Sequence, residues 1–394
     1  MNAINDAVIV DVVRTPSGRG KPGGALSSVH PVDLAAGVLR SILERNGLES
    51  NQIDDVLLGC VSQVGDQSMN VARQAVLAAG FDESVPATTI DRQCGSSQQA
   101  VHFAAQGVMA GAYDIVIAGG VESMSRVPLG SSRAGGVVSD GIGARYPDGL
   151  INQGVSAELI AQRWDLSRDM LDAFAAQSHA RAARAADDGC FDGQLIPVDT
   201  AGGVVTRDET IRGATSLESL AHLAPAFRDD SLSARFPGID WRITAGTSSP
   251  LTDGASAALI MSADRAEKLG LTPRARFRAF AVVGDDPLMM LTGPIPATAR
   301  VLARAGLTID DIDAYEVNEA FASVPLAWAA DVGADPDKLN PWGGAIALGH
   351  ALGSSGTRLL GTLLGYLEAT GGRFGLQTMC EGGGMANATI IERL

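Results

Sequence analysis

The chain has 394 residues, with 46% hydrophobic, 19% charged and 5% aromatic side chains and a formal net charge of −15. That length accommodates roughly two or three domains around a large core. An acidic surface repels phosphate backbones and argues against nucleic acid as a partner, although a few local Arg residues can still hold an anionic substrate.

The four cysteines, Cys60, Cys94, Cys190 and Cys380, form no CxxC pair. Neither a disulfide framework nor a zinc site is expected. Met1 to Asp6 carry no basic segment ahead of an apolar run, so no secretory signal is expected. No stretch approaches about 18 uninterrupted apolar residues, so no membrane span is expected. The reducing cytoplasm is the expected compartment.

In chain order, residues 7–13 are β-branched and read as a strand. Gly18-Arg19-Gly20-Lys21-Pro22-Gly23 matches GxGxxG, but a dinucleotide loop must lead from strand straight into helix. Pro22 and Gly24 forbid a helix before about Pro31, so a nicotinamide site is rejected. Residues 33–45 predict an amphipathic helix, 55–59 a strand and 70–79 a helix. This alternation favours an α/β protein with buried sheets. Asp91-Arg92-Gln93-Cys94-Gly95-Ser96-Ser97 then leads into a helix ending near Gly111. A thiol at a helix N-terminus feels the positive end of the dipole, which favours the thiolate. A strand over 114–118 follows.

Residues 122–244 differ in texture. They hold Pro-, Arg- and Gly-rich loops over 126–149, an Ala-rich helix over 168–187 and a charged stretch over 207–242. They read as an insertion covering a site. Residues 253–261 return to core texture. The expected division is therefore 1–121 plus 245–270 as a first half, 122–244 as the insertion, and 271–394 as a second half.

The halves echo one another. Residues 39–60 and 301–319 each give a helix, a Gly-Leu turn, an acidic entry and a strand. The helix opened by Gly95-Ser96-Ser97 has its counterpart in one opened by Gly353-Ser354-Ser355 and ending near Gly371. The strand 374–379 and Gly382-Gly383-Gly384 follow. A duplication of this kind places equivalent helix N-termini side by side, so distant residues can share one site.

Four residues stand out in that frame. Cys94 is the candidate nucleophile. His350 lies among glycines in Gly343-Gly344-Ala345-Ile346-Ala347-Leu348-Gly349-His350-Ala351-Leu352-Gly353, where the backbone can approach a ligand closely. It is the candidate general base. Cys380 precedes a triple glycine whose N–H groups suit an oxyanion hole. Asn318 follows a strand over 314–317, where it can cap a helix and still reach a strand-end site.

With these motifs in hand, the chain resembles the thiolases, acyl-CoA C-acyltransferases. The resemblance covers the whole length through the Cys94 segment, NEAFA at 318–322, GGxxAxGHxxGxSG at 343–356 and CxGGG at 380–384. DRQCGSSQQA and Met290-Leu291-Thr292-Gly293-Pro294 look most like thiolases that shorten medium-chain or steroid side-chain acyl-CoAs. The resemblance implies an α/β thiolase fold of two βαβαβαββ-type halves, layered α-β-α-β-α, with an inserted loop domain. It implies a homodimer or dimer-based homotetramer. It implies thiolytic cleavage of 3-ketoacyl-CoA by coenzyme A, ping-pong and reversible, with no metal or redox cofactor.

The resemblance also assigns roles. Cys94 becomes acylated, His350 activates it, and Cys380 is the second acid/base. Asn318 positions a water which, with His350, forms one oxyanion hole. The N–H groups of Cys94 and Gly382 form the other. Ser249, Arg212 and Ser219 fall at coenzyme A contacts. Two residues depart from the family pattern. Ala351 replaces the Pro after the His. Trp342 stands where a small polar residue is usual, and is expected to narrow the acyl pocket. Three rival readings are a biosynthetic acetoacetyl-CoA thiolase, a decarboxylating condensing enzyme (disfavoured by the CEGGG run) and a coenzyme A-binding partner subunit without turnover.

Overall fold

A computed structural model describes residues 6–133 and 135–394. Residues 1–5, part of the segment read for a secretory signal, lie outside the described residues.

The first half supplies β1 (Ala7–Arg14), α1 (Pro31–Asn46), β2 (Asp55–Gly59), α2 (Val71–Ala78), β3 (Ala87–Ile90), α3 (Ser96–Met109) and β4 (Ile115–Ser123). The long helix α4 (Arg168–Asp187) belongs to the segment between β4 and β5 (Thr252–Ser262). The second half supplies β6 (Ala275–Gly284), α5 (Pro294–Ala305), β7 (Ala314–Val317), α6 (Ser323–Val332), α7 (Ser355–Thr370), β8 (Phe374–Glu381) and β9 (Met385–Arg393). Gly18–Arg19 pair with β5, and no helix intervenes before Pro31. The GxGxxG segment is therefore not a dinucleotide loop.

The strands run β3-β2-β4-β5-β1 and then β6-β9-β8-β7. Each half repeats one pattern. β2 and β4 pair parallel, as do β7 and β8. β4–β5–β1 and β8–β9–β6 continue antiparallel. β3 lies parallel beside β2, and Leu339 makes the equivalent parallel bridge to Tyr315. Among the described residues the halves join edge to edge through Val8↔Arg276 and Ile9↔Ala275.

The echo in sequence has a local cause. Gly47 (φ 60°) and Gly306 (φ 68°) end α1 and α5 in the left-handed conformation, and each is followed by a 3₁₀ turn with a capping box before its strand. The αL residue reverses the chain at a point that fixes where the next strand begins.

Helices α3 and α7 pack together between the two halves, while α1 with α2 and α5 with α6 cover the outer faces. This gives the α-β-α-β-α layering. The central layer is thin because Ala100, Ala104 and Ala105 of α3 face Leu360, Leu363 and Leu364 of α7 in one buried cluster. At the N-termini the approach is closer still. A Cβ on Gly120 would lie 2.0 Å from the Gly353 carbonyl oxygen, so neither half tolerates a larger residue there. The Thr357 N–H donates to Ser97 Oγ across this seam (3.1 Å). The two equivalent helix starts are neighbours.

Candidate active site

The Cys94 turn is braced by its own side chains. Gln93 adopts φ +48°, a left-handed conformation uncommon outside glycine. Its N–H donates to Asp91 Oδ1 (2.7 Å), the Ser96 hydroxyl donates to the Gln93 carbonyl (2.5 Å), and the Arg92 N–H donates to Ser96 Oγ (2.9 Å). The strained turn lifts Cys94 just ahead of α3, whose cap is Gly95. Cys94 is 4% exposed and packs with Val61, Met124, Leu352, Leu359 and Met379.

The expected thiolate does not form in the resting site. Burial, with the nearby Glu381 carboxyl, pushes the Cys94 thiol up to about 12. Hydrogen bonds from the Cys94 and Gly382 N–H groups pull the other way without overcoming it. Desolvation outweighs the helix terminus here.

Cys380 lies on β8, opposite Ala386 of β9, just before the Gly382–Gly384 turn joining the two strands. Burial raises its thiol well above the ordinary range, and the next cause is the field of Cys94. Met379 packs against Cys94 and the Glu381 side chain lies beside Gly95, so β8 brackets the Cys94 turn although Cys94 and Cys380 are 286 positions apart in the chain.

His350 follows Gly349, whose φ of +84° lets the chain turn past Thr252; a Cβ there would sit 2.6 Å from Thr252 Oγ1. Burial and the Arg358 guanidinium lower the imidazole to about 3, so the ring is uncharged at neutral pH. The His350 N–H donates to Thr252 Oγ1 (2.9 Å), Nδ1 lies 2.6 Å from Ser355 Oγ, and Nε2 lies 3.4 Å from Asn318 Nδ2.

Asn318 is not a helix cap. Helix α6 begins five residues later at Ser323, with Ala322 as its cap. The strand end instead holds Asn318 through its N–H to the Thr378 carbonyl (3.1 Å), which frees the side chain for His350.

A cavity of about 1130 Å³ reaches His350, while Cys94, Cys380 and Asn318 are buried and are not among its lining residues. His350, Gln93, Gly382 and Gly383 line its inner end, and Leu129, Leu150, Phe227, Met290, Phe321 and Ile346 supply apolar wall. Ser249 and Arg212 also line it. Ser249 is held by its N–H to the Ala320 carbonyl (3.0 Å), and the Arg212 N–H donates to His179 Nδ1 (3.2 Å). Ser219 is not among the lining residues. Its hydroxyl closes a capping box with Ser216, and the adjacent Leu220 faces the cavity instead.

Trp342 also departs from expectation. It packs edge-on against Phe191 (5.8 Å) and Tyr366 (5.6 Å), in a cluster with Ala347 and Leu348 behind the His350 segment. The ring fills space between α4 and α7 and does not line the acyl cavity.

Residues missed in the sequence include Thr252, Ser355 and Glu122. The buried Glu122 carboxylate accepts from the N–H groups of Val61, Ser62 and Gly353, tying β2, β4 and the start of α7 together. An acid inside the Gly-rich strand end Gly119-Gly120-Val121-Glu122 was the available signal. Among the described residues no group of three or more His, Cys, Asp or Glu could hold a metal ion, and no helix is long and apolar enough to cross a membrane.

Residues 7–264 match the family described as "Thiolase, N-terminal domain", and residues 271–393 match "Thiolase, C-terminal domain". The chain is 46% identical to the steroid 3-ketoacyl-CoA thiolase FadA6 of Mycobacterium tuberculosis, covering 99% of this chain and 95% of that protein. It is 46% identical to the 3-ketoacyl-CoA thiolase of Serratia proteamaculans, covering 99% and 100%. The solved acetyl-CoA acetyltransferase of Bacillus anthracis superposes with a TM-score of 0.89 at 37% identity, covering 100% of both chains.

Proposed function

The chain belongs to the thiolase family and is an acyltransferase, and from that premise we propose that it cleaves 3-ketoacyl-CoA with coenzyme A through an acyl-Cys94 intermediate. The observation that carries this reading is that His350 and Gly382 line one cavity whose wall residues Val61, Met124 and Leu352 also enclose Cys94, with Cys380 two residues before Gly382.

In the proposed reaction, His350 Nε2 takes the Cys94 proton as the sulfur attacks the 3-keto carbon. Because both groups rest neutral, the transfer is coupled to attack, and the charge lands on the substrate oxygen rather than on sulfur. The Cys94 and Gly382 amides hold that oxyanion, and His350 with a water held by Asn318 holds the thioester oxygen on which the departing enolate develops its charge; each such donor is typically worth about 10²–10³ in rate. The C2–C3 bond then breaks, and the acetyl-CoA enolate takes the Cys380 proton. A second coenzyme A returns a proton to Cys380, and its thiolate removes the shortened acyl group through an oxyanion held by the Cys94 and Gly382 amides. Cys94 regains its proton from His350. Every step is reversible, so the same residues support Claisen condensation. Coenzyme A is the substrate, and the scheme calls for no metal or redox group.

Ser249 and Arg212 are assigned to coenzyme A, with residues 122–244 as the covering domain between halves 1–121 plus 245–270 and 271–394. A homodimer or dimer-based homotetramer in the cytoplasm completes the proposal. The long apolar wall favours medium-chain or bulky, steroid-like acyl groups over acetoacetyl-CoA as substrates. Thiolysis of a short, medium, long and steroid 3-ketoacyl-CoA panel tests this. Preference for acetoacetyl-CoA alone would favour the biosynthetic reading.

The same panel separates two aromatic residues. Phe227 stands edge-on to Phe321 (5.5 Å) in the cavity wall. Phe227→Ala is expected to shift preference toward bulkier chains by roughly 10-fold in relative kcat/KM, the scale of one apolar pocket contact. Trp342→Asn is expected to leave the profile unchanged and to destabilise the fold by on the order of 2 kcal/mol, below a fully buried Trp loss because the ring is partly exposed. Thermal unfolding beside the panel checks both, and a profile shift in the Trp342 variant would refute its structural placement.

A further inference from the structure

We propose that Ser355 is a positioning residue that fixes the His350 tautomer and so presents an unprotonated Nε2 to the reaction. The inference rests on the reading of His350 as the base, and it identifies what makes the correct nitrogen basic.

The logic is a count of protons. Ser355 Oγ lies 2.6 Å from His350 Nδ1 and 2.8 Å from the Ala351 carbonyl oxygen. A serine hydroxyl has one proton, and a carbonyl has none to give. With the hydroxyl proton on the Ala351 carbonyl, Nδ1 is the donor to Ser355. In the opposite tautomer the hydroxyl would turn its proton to Nδ1 and leave its 2.8 Å contact with the Ala351 carbonyl, which also accepts the Ser354 and Ser355 N–H groups, without a proton. On the far side of the ring, Asn318 Nδ2 is a donor facing Nε2 at 3.4 Å. In this orientation of the Asn318 amide, whose Oδ1 has no partner among the described residues, both neighbours fit the same tautomer without a charged partner.

The arrangement is rigid. Ser355 is 1% exposed and is the first residue of α7, so its position is set by the helix. Its own N–H also reaches the Ala351 carbonyl (2.9 Å). The His350 main chain is pinned separately by Thr252 Oγ1, which in turn donates to the Pro250 carbonyl (2.8 Å). The relay ends on a carbonyl that remains in place although position 351 is Ala rather than Pro. That accounts for how the base keeps its orientation without the ring constraint. Arg358, one turn further along α7, is buried with its guanidinium nitrogens unpartnered among the described residues. Its positive charge opposes an imidazolium, so a hydroxyl partner orients the ring without charging it.

The test combines ¹⁵N-histidine NMR with kinetics on the full-length protein. The His350 resonances are assigned by their loss in His350→Gln. The wild type is expected to show a protonated Nδ1 and a bare Nε2. In Ser355→Ala the two tautomers are expected to mix, and kcat is expected to fall roughly 10- to 100-fold, part of the 10²–10⁴ a general base contributes. KM should change less than about 2-fold, and circular dichroism should match the wild type. A wild-type spectrum with the proton on Nε2 would overturn the proposal, and so would a Ser355→Ala variant with unchanged tautomer and rate. Should that variant not fold, the wild-type spectrum alone decides. The base reading fails separately: His350→Gln that acylates Cys94 at the wild-type rate removes His350 from the chemistry whichever nitrogen carries its proton.

Discussion

Cys94→Ala protein incubated with a 3-ketoacyl-CoA is expected to gain no mass, while the wild type gains the mass of the shortened acyl group. Thiolysis should fall by about 10⁵-fold or more, the scale on which removing a catalytic nucleophile acts. The variant should fold, because Cys94 contributes one small side chain to its cluster and the turn is braced by Asp91, Gln93 and Ser96 rather than by the sulfur. Coenzyme A binding should persist, since the cavity is lined by other residues. Cys60 and Cys190 offer no substitute. Cys60 is buried, with its thiol raised well above its ordinary range. Cys190 packs beside Trp342, away from the cavity. Intact-protein mass spectrometry decides the point. An acyl increment on the Cys94→Ala protein would place the nucleophile elsewhere.

How much of this was legible in the sequence depends on the range of the interaction. Local signals were read well. The helix over 168–187 and the strands over 55–59 and 314–317 lie where their patterns place them, because caps, αL glycines and β-branched runs act within a few residues. The duplication was legible because both halves reuse the same turn chemistry. The adjacency of the helix starts at Ser96 and Ser355 follows from that duplication, not from either segment alone. Properties set by the assembled environment were not legible. The helix terminus beside Cys94 argues for a thiolate, but the apolar shell around it decides for the thiol. Trp342 adjoins the glycines ahead of His350, and nothing local indicates that its ring turns toward Phe191 and Tyr366. Asn318 has a good capping side chain, yet the chain runs on to Ser323 before the helix begins. Thr252 and Ser355 are ordinary residues in sequence and acquire a role only once β5 and α7 bracket His350.

Cys380→Ser is expected to separate the two half-reactions. Acyl transfer from a simple acyl-CoA to Cys94 needs the base, the nucleophile and a leaving thiolate, all of which remain, so the acyl-enzyme should still form. Release of acetyl-CoA from a 3-ketoacyl-CoA needs an acid for a carbon leaving group, and activation of the second coenzyme A needs a base. A serine hydroxyl is a far weaker acid than a thiol and serves neither step well. Turnover should drop by about 10²–10⁴, the range of a lost general acid–base. Burial above all holds the Cys380 thiol well above its ordinary range, so it rests protonated and has a proton to give the enolate. Mass spectrometry of the acylated variant together with steady-state thiolysis checks the expectation. Normal turnover by the serine variant would remove Cys380 from the mechanism.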